Sequence, residues 1–106
     1  MIISFENEEL KDICLKKEVA LKKLGLEDAE KLQNRYADLR AVENFQEEPI
    51  NHYIRKKAKG KYSISLGKFE LLLIPINKSL RYNKNGEIDK KFVTRLKVID
   101  IQKAHA

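Results

Sequence analysis

Residues 52–64 (HYIRKKAKGKYSI) concentrate the side chains with which this chain could act on a phosphate group. Five of the seven residues from 55 to 61 are basic, and arginine and lysine stabilise the charge that develops on phosphate oxygens during phosphodiester cleavage. Histidine can act as acid or base because its pKa lies near neutrality, and the chain has two histidines, His52 and His105. These residue types would suit RNA cleavage without a metal ion. The alternative is a solvated turn, with His52 in a loop and His105 at a frayed end.

The same segment holds further candidate contacts to RNA. The cations Lys57, Lys59 and Lys61 could bind phosphates along a strand of RNA. Tyr53 could stack on a base, a use of aromatic rings that is common in RNA recognition. Tyr62, in contrast, falls in an alternating pattern and is predicted to be half-buried in a strand.

Composition predicts one soluble globular domain that spans residues 1–106. Hydrophobic residues make up 42% and charged residues 36% of the chain, proportions typical of such a domain. The N-terminus lacks the basic start and long apolar core of a signal peptide, and Cys14 has no second cysteine to pair with. We therefore expect a cytoplasmic protein. One cysteine and two histidines do not make an ordinary structural zinc site, and we expect neither a metal nor a cofactor.

The charge of the chain is divided unevenly between its halves. Residues 1–50 carry eight Lys and Arg against twelve Asp and Glu, whereas residues 51–106 carry fourteen against four. Such asymmetry in a small domain indicates a positive face that attracts a polyanion. A lysine-rich surface that only keeps the protein soluble is the simpler alternative.

The first half of the chain reads as a short strand followed by helices. The apolar run MIISF predicts the strand, and Asn7 is a candidate N-cap ahead of a glutamate-rich first turn. Leu10, Ile13 and Cys14 share one helical face, so Cys14 is predicted to be a core residue rather than a nucleophile. Helical pattern resumes at residues 18–24 and Gly25 is a natural stop.

A longer helix then begins at residues 27–28. In the second half of the chain, the spacing of apolar residues changes to the alternation typical of strands. The helix carries one apolar stripe, made of Ala29, Leu32, Tyr36 and Leu39. Residues 62–66 alternate, 69–76 (FELLLIPI) read as a central strand, and 92–101 alternate again. This order predicts an α+β fold, with a small antiparallel sheet and the N-terminal helices packed on one face. The open face, bordered by basic residues, could then receive RNA.

The spacing H-x-x-[KR]-x4-G-x-[FYW]-S-[IV] resembles a motif of the HigB branch of the RelE/ParE toxin superfamily. Here it consists of His52, Arg55, Gly60, Tyr62, Ser63 and Ile64. The strand LLLIPIN, the loop NGEID and the strand VTRLKVIDI before His105 are also similar to that family's pattern. The likeness runs over essentially the whole chain.

This resemblance implies the toxin of a bacterial type II toxin–antitoxin pair, also described as a plasmid-maintenance killer protein. Toxins of this kind commonly cut messenger RNA on the translating ribosome, as metal-independent mRNA interferases. A cognate antitoxin, often a helix-turn-helix protein, neutralises them. Carried over residue by residue, the resemblance assigns catalytic positions to His52, Arg55 and His105.

Two positions depart from the family pattern. The family usually has arginine early in the central strand, where this chain has Glu70, and its C-terminal Asp-Tyr-His is replaced by Lys103, Ala104 and His105. Arg81 or Arg95 would have to compensate for a missing phosphate-binding cation. The departures keep two alternatives open: a non-catalytic binding protein on the same scaffold, and a ParE-like inhibitor of gyrase.

Overall fold

The computed structural model describes residues 1–104, which form a five-stranded mixed sheet and four helices. The strands are β1 Ile2–Phe5, β2 Arg55–Ala58, β3 Lys61–Ser65, β4 Phe69–Pro75 and β5 Arg95–Lys103. The helices are α1 Glu8–Leu15, α2 Lys17–Leu24, α3 Leu26–Ala41 and the single turn α4 Ile50–Tyr53, and a 3-10 turn spans Lys90–Phe92. The α+β class predicted from the sequence is confirmed.

The sheet has the strand order β1-β5-β4-β3-β2 and is mixed rather than antiparallel. Strands β2 to β5 pair antiparallel with their neighbours, as expected for strands joined by short connections. Strand β1 pairs parallel to β5, with Ile3 opposite Leu96. The prediction of a purely antiparallel sheet is therefore wrong. The helices and three strands that separate β1 from β5 form a connection long enough for parallel pairing, which no hairpin could make.

Part of the basic segment is itself a strand, not the turn or loop that its composition suggested. Arg55 pairs with Ser63 and Lys56 with Tyr62, so β2 forms the outer edge of the sheet. All four residues of β2 are exposed, and Gly60 makes the following turn with φ +72°. Lysine-rich edge strands resist pairing with other chains, which explains why a strand has this composition.

The N-terminal helices begin and end close to the capping residues that the sequence predicted. The side chain of Asn7 accepts a hydrogen bond from the N–H of Leu10 at 2.9 Å, the predicted N-cap of α1. Gly25 ends α2 with φ +85° and leads directly into α3. Within α3, Leu32 and Leu39 are fully buried, as the apolar stripe predicts.

The hydrophobic core lies between these helices and one face of the sheet. Strands β3, β4 and β5 contribute Ile64, Leu71, Leu73 and Val98, all with no exposed surface. Cys14 is buried in the same cluster, and burial raises the pKa of its thiol to about 12. The prediction that Cys14 is a core residue is confirmed.

The turn between β3 and β4 is fastened to the start of α3. Gly67 has φ +89°, and the buried carboxylate of Asp28 accepts a hydrogen bond from the N–H of Lys68 at 3.2 Å. The side chain of Asp28 occupies the space into which a Cβ on Gly67 would project. This contact links helix and hairpin at the end of the sheet where β4 begins.

The last strand begins at Arg95, three residues later than predicted, because the Asp89 side chain caps a 3-10 turn through the N–H of Lys91. Strand β4 has neighbours on both sides, as predicted for a central strand.

Of the helices in residues 1–104, none has the length and apolar character needed to span a membrane.

Candidate functional site

A cleft of about 310 Å³ opens beside β2, β3 and β4, and it gathers most of the polar motif residues. It is lined by His52, Tyr53, Arg55, Ser63, Ser65, Glu70 and Ala104. Ser63 lies opposite Arg55 on one side and Leu72 on the other. Because side chains alternate along a strand, Ser63, Ser65, Glu70 and Leu72 point away from the face that carries the core. The cleft therefore lies on the face opposite the helical layer.

The turn α4 presents His52 and Tyr53 at the rim of this cleft. Ile50 and Ile54 on either side of them are buried and anchor the turn to the core. The Arg55 guanidinium folds back over the end of α4, where its Nη1 donates to the carbonyl oxygens of His52 at 2.9 Å and Ile54 at 3.0 Å. The motif spacing of three residues thus brings His52 and Arg55 to the same cleft, with the guanidinium bonded to the His52 backbone.

Tyr53 is held from two sides. Its ring makes an edge contact with the His52 ring, at 5.2 Å between centroids and 82° between planes. The Arg35 guanidinium lies 3.7 Å from the Tyr53 ring centroid and donates to Asp38 at 2.9 Å. One face of the ring is therefore covered by Arg35, which limits the base stacking expected of Tyr53. Sequence reasoning missed Arg35 because nothing in the pattern of α3 distinguishes it from other surface cations.

Glu70 lines the cleft, and among the described residues Lys57 and Gln102 contact its carboxylate. Its side chain is only 10% exposed. Oε1 lies 2.9 Å from the Lys57 ammonium nitrogen and accepts a hydrogen bond from Gln102 Nε2 at 2.7 Å. A buried carboxylate is tolerable when it is paired and hydrogen-bonded. The residue that departs from the family pattern is thus built into the sheet, with a cation beside it.

The other predicted RNA contacts are spread over the surface. Lys61 lies on the same strand face as Ser63, whereas Lys59 lines a separate cavity of about 190 Å³ next to Tyr82 and Gly86. Lys56, which residue type and spacing did not single out, pairs with Glu87 in that region at 3.5 Å.

Arg81 and Arg95 do not line the cleft. Arg81 lies over the Phe92 ring at 4.6 Å. Arg95 is at the opposite end of β5 from Gln102, about 20 Å away at the rise of an extended strand. Neither arginine replaces a cation at Glu70 in this structure. Lys57 is not a lining residue either, but its ammonium reaches the carboxylate of Glu70 from the edge strand.

The C-terminal residues reach the cleft only in part. Ala104 lines it and donates its N–H to the carbonyl oxygen of Lys68 at 2.9 Å. Lys103 is exposed at the end of β5. The candidate catalytic residue His105 lies outside the described residues, so the cleft is defined without it.

Two serines of β3 line the cleft, whereas Tyr62 of the same strand belongs to the core. The alternation that predicted β3 also gives Ser63 and Ser65 a common face, a signal that could have marked them as cleft residues. Tyr62 is buried rather than half-buried and packs edge-on against Phe45 at 5.3 Å. Burial, followed by the charge of Glu87, raises the pKa of Tyr62.

Within residues 1–104, no three His, Cys, Asp or Glu side chains come together in a way that could hold a metal ion. No protein-family model, curated protein or solved structure matches the chain. The likeness to HigB toxins therefore depends on the motif residues, and the function has to be argued from the cleft itself.

Proposed function

We propose that this chain is the toxin of a type II toxin–antitoxin pair, a metal-independent endonuclease that cuts messenger RNA at the ribosome. The observation that supports this most is the cleft that His52 and Arg55 line together, with the Arg55 guanidinium bonded to the backbone carbonyl of His52. The cleft is open to solvent along an edge strand whose four residues are exposed. A single-stranded polyanion could lie along such an edge.

The proposed reaction is a transfer within the RNA. A base removes the proton from the 2′-hydroxyl, and the 2′-oxygen forms a bond to phosphorus as the bond to the 5′-oxygen breaks. An acid then gives a proton to that leaving 5′-oxygen, which yields a cyclic phosphate and a free 5′-hydroxyl. His52 and His105 are the candidate acid and base, and Arg55 is the candidate cation for the charge on the phosphorane.

The test is cleavage of ribosome-bound messenger RNA by purified protein, together with growth after induction. We expect growth arrest and cleaved messages, and we expect His52→Ala, His105→Ala and Arg55→Glu each to lower cleavage by about 100-fold or more. Lys23→Ala is a suitable control because Lys23 pairs with Glu9 among the helices, at 3.2 Å. Harmless induction together with intact ribosome-bound messages would refute the proposed activity.

The proposed partner is an antitoxin that covers the basic half of the chain, as an acidic or disordered segment of a helix-turn-helix protein. The charge of residues 51–106, fourteen cations against four carboxylates, supports a partner of opposite charge. We expect the affinity to fall steeply as salt rises. Binding that is insensitive to salt would contradict an electrostatic interface.

A specific observation favours a second function, a non-catalytic RNA-binding or antitoxin-binding protein on this scaffold. Glu70 places a buried carboxylate on the floor of the cleft, and a carboxylate opposes a phosphate unless a cation compensates it. This alternative predicts RNA binding without cleavage. A protein that is active and loses its toxicity on Glu70→Ala would exclude it.

A further inference from the structure

Building on the proposed function, we propose that Glu70 positions Lys57 as the phosphate-binding cation of the cleft. The edge strand β2 would then supply the charge that the central strand β4 does not carry. Lys57 is the residue that would meet the scissile phosphate, and Glu70 acts through it.

Lys57 lies at a local irregularity of the sheet and reaches Glu70 across the strand between them. Strands β2 and β4 are separated by β3, so their backbones lie about 10 Å apart. The register of β2 against β3 shifts between Lys56 and Ala58, which makes Lys57 the extra residue of a bulge. A bulge redirects a side chain, and the Lys57 ammonium spans the intervening strand to reach Glu70.

The ion pair of Lys57 with Glu70 is shorter and less exposed than the ion pair that the adjacent Lys56 forms. Gln102 and Lys57 meet the same carboxylate oxygen, at 2.7 and 2.9 Å. The neighbouring pair of Lys56 with Glu87 is longer, at 3.5 Å, and both of its side chains are about half exposed. The buried carboxylate therefore holds the Lys57 ammonium in one place, whereas a free lysine side chain samples many rotamers.

An ammonium held in this way keeps the capacity to bind an anion. It carries three N–H donors, and the pair with Glu70 takes one of them. The Lys57 side chain remains 37% exposed, so a phosphate oxygen can approach the other two donors. Donors that are positioned before the reaction stabilise a developing charge without reorganising. Glu70 thus holds the Lys57 ammonium in place to bind a phosphate.

Cleavage of ribosome-bound messenger RNA tests this arrangement through four variants. We expect Lys57→Ala to lower the cleavage rate by about 100-fold, the effect of removing one positioned donor. Glu70→Gln keeps the size of the side chain but releases Lys57, and we expect about tenfold slower cleavage with RNA affinity unchanged or higher. The double variant Lys57→Ala/Glu70→Arg returns a cation to the floor of the cleft and should recover most of the lost rate. Lys23→Ala should behave as wild type.

The outcomes separate positioning from a merely structural role. A structural role predicts that Glu70→Gln lowers thermal stability and RNA affinity along with the rate. Equal loss of affinity and rate, or a double variant no faster than Lys57→Ala although it melts as wild type does, would overturn the proposal.

A second measurement does not depend on cleavage. Titration of wild-type protein with inorganic phosphate should shift the NMR signals of the Lys57 side chain, and the shift should weaken at least severalfold in Glu70→Gln. Lys57 signals that do not respond to phosphate, or that respond equally in both proteins, would refute the positioning by Glu70. If wild type cleaves no RNA but shows this phosphate response, the proposed nuclease activity fails and the cationic site stands.

Discussion

Replacement of Gly67 by alanine should destabilise the protein through one identified contact. A Cβ at position 67 would overlap Oδ1 of Asp28 and lie 3.1 Å from its Cγ. Asp28 is short and 6% exposed, and its carboxylate accepts the N–H of Lys68. A shift of this carboxylate away from the new Cβ should weaken that hydrogen bond, so the substitution should disturb both the turn and the contact with α3.

The magnitude has two parts. Alanine in a left-handed conformation, here φ +89°, costs roughly 1–2 kcal/mol. Loss of the hydrogen bond to a buried carboxylate adds about 1–3 kcal/mol. A total near 3 kcal/mol corresponds to a fall in Tm of about 12–24 °C for a domain of this size.

The assay is thermal and urea unfolding of a double-mutant cycle, with Gly86→Ala as the control. Gly86 also has a positive φ, of +76°, and the Cβ of an alanine there would meet no described residue within 4 Å beyond its neighbours along the chain. Gly86→Ala should therefore show only the backbone part, about 1–2 kcal/mol. In an Asp28→Ala background, Gly67→Ala should fall to the same value. Equal costs of Gly67→Ala in both backgrounds would refute the steric explanation.

Three further outcomes follow from the described contacts. Asn7→Ala should remove the N-cap of α1 and lower stability by about 1 kcal/mol, measured by urea unfolding against exposed Asn34→Ala. Cys14 should resist alkylation at pH 8 in the native protein and react at least tenfold faster in denaturant, because its burial raises the pKa to about 12. The pKa of Cys14 in the folded protein exceeds the ordinary value of 9.0. The contribution of the protonated thiol to the free energy of unfolding is therefore intact below pH 9 and is lost as the pH rises towards 12. Cys14→Ala should flatten that alkaline decline, and an unchanged decline would contradict it.

The elements that could be predicted from the sequence are those whose signals are local. In α3 and β4, the apolar residues that made the pattern recognisable are the ones that are buried. The N-cap at Asn7 is a contact between residues three apart in sequence. Strand β2 escaped prediction because all its residues are exposed at a sheet edge. Without a buried face, an edge strand has no apolar alternation to reveal it.

The candidate site likewise contains residues that are close in sequence and contacts between elements that are far apart in sequence. His52 and Arg55, three residues apart in the motif, line the same cleft. The approach of Lys57 to Glu70 spans the strand between them, and the stacking of Arg35 on Tyr53 joins elements far apart in sequence. Contacts of this kind arise from packing, so residue types and spacing alone do not predict them.

The parallel pairing of β1 with β5 also sets the order in which the molecule can be completed. The strand made first, Ile2–Phe5, waits for a partner that begins at Arg95, and closing a loop of this length is entropically unfavourable until the contacts that reward it exist. Strand β5 also carries Gln102, a partner of Glu70, and it leads into Ala104 at the wall of the cleft. A nascent chain that has not yet reached these residues has neither a closed sheet nor a finished cleft. Synthesis itself therefore delays the assembly of the site until β5 and Ala104 have been made.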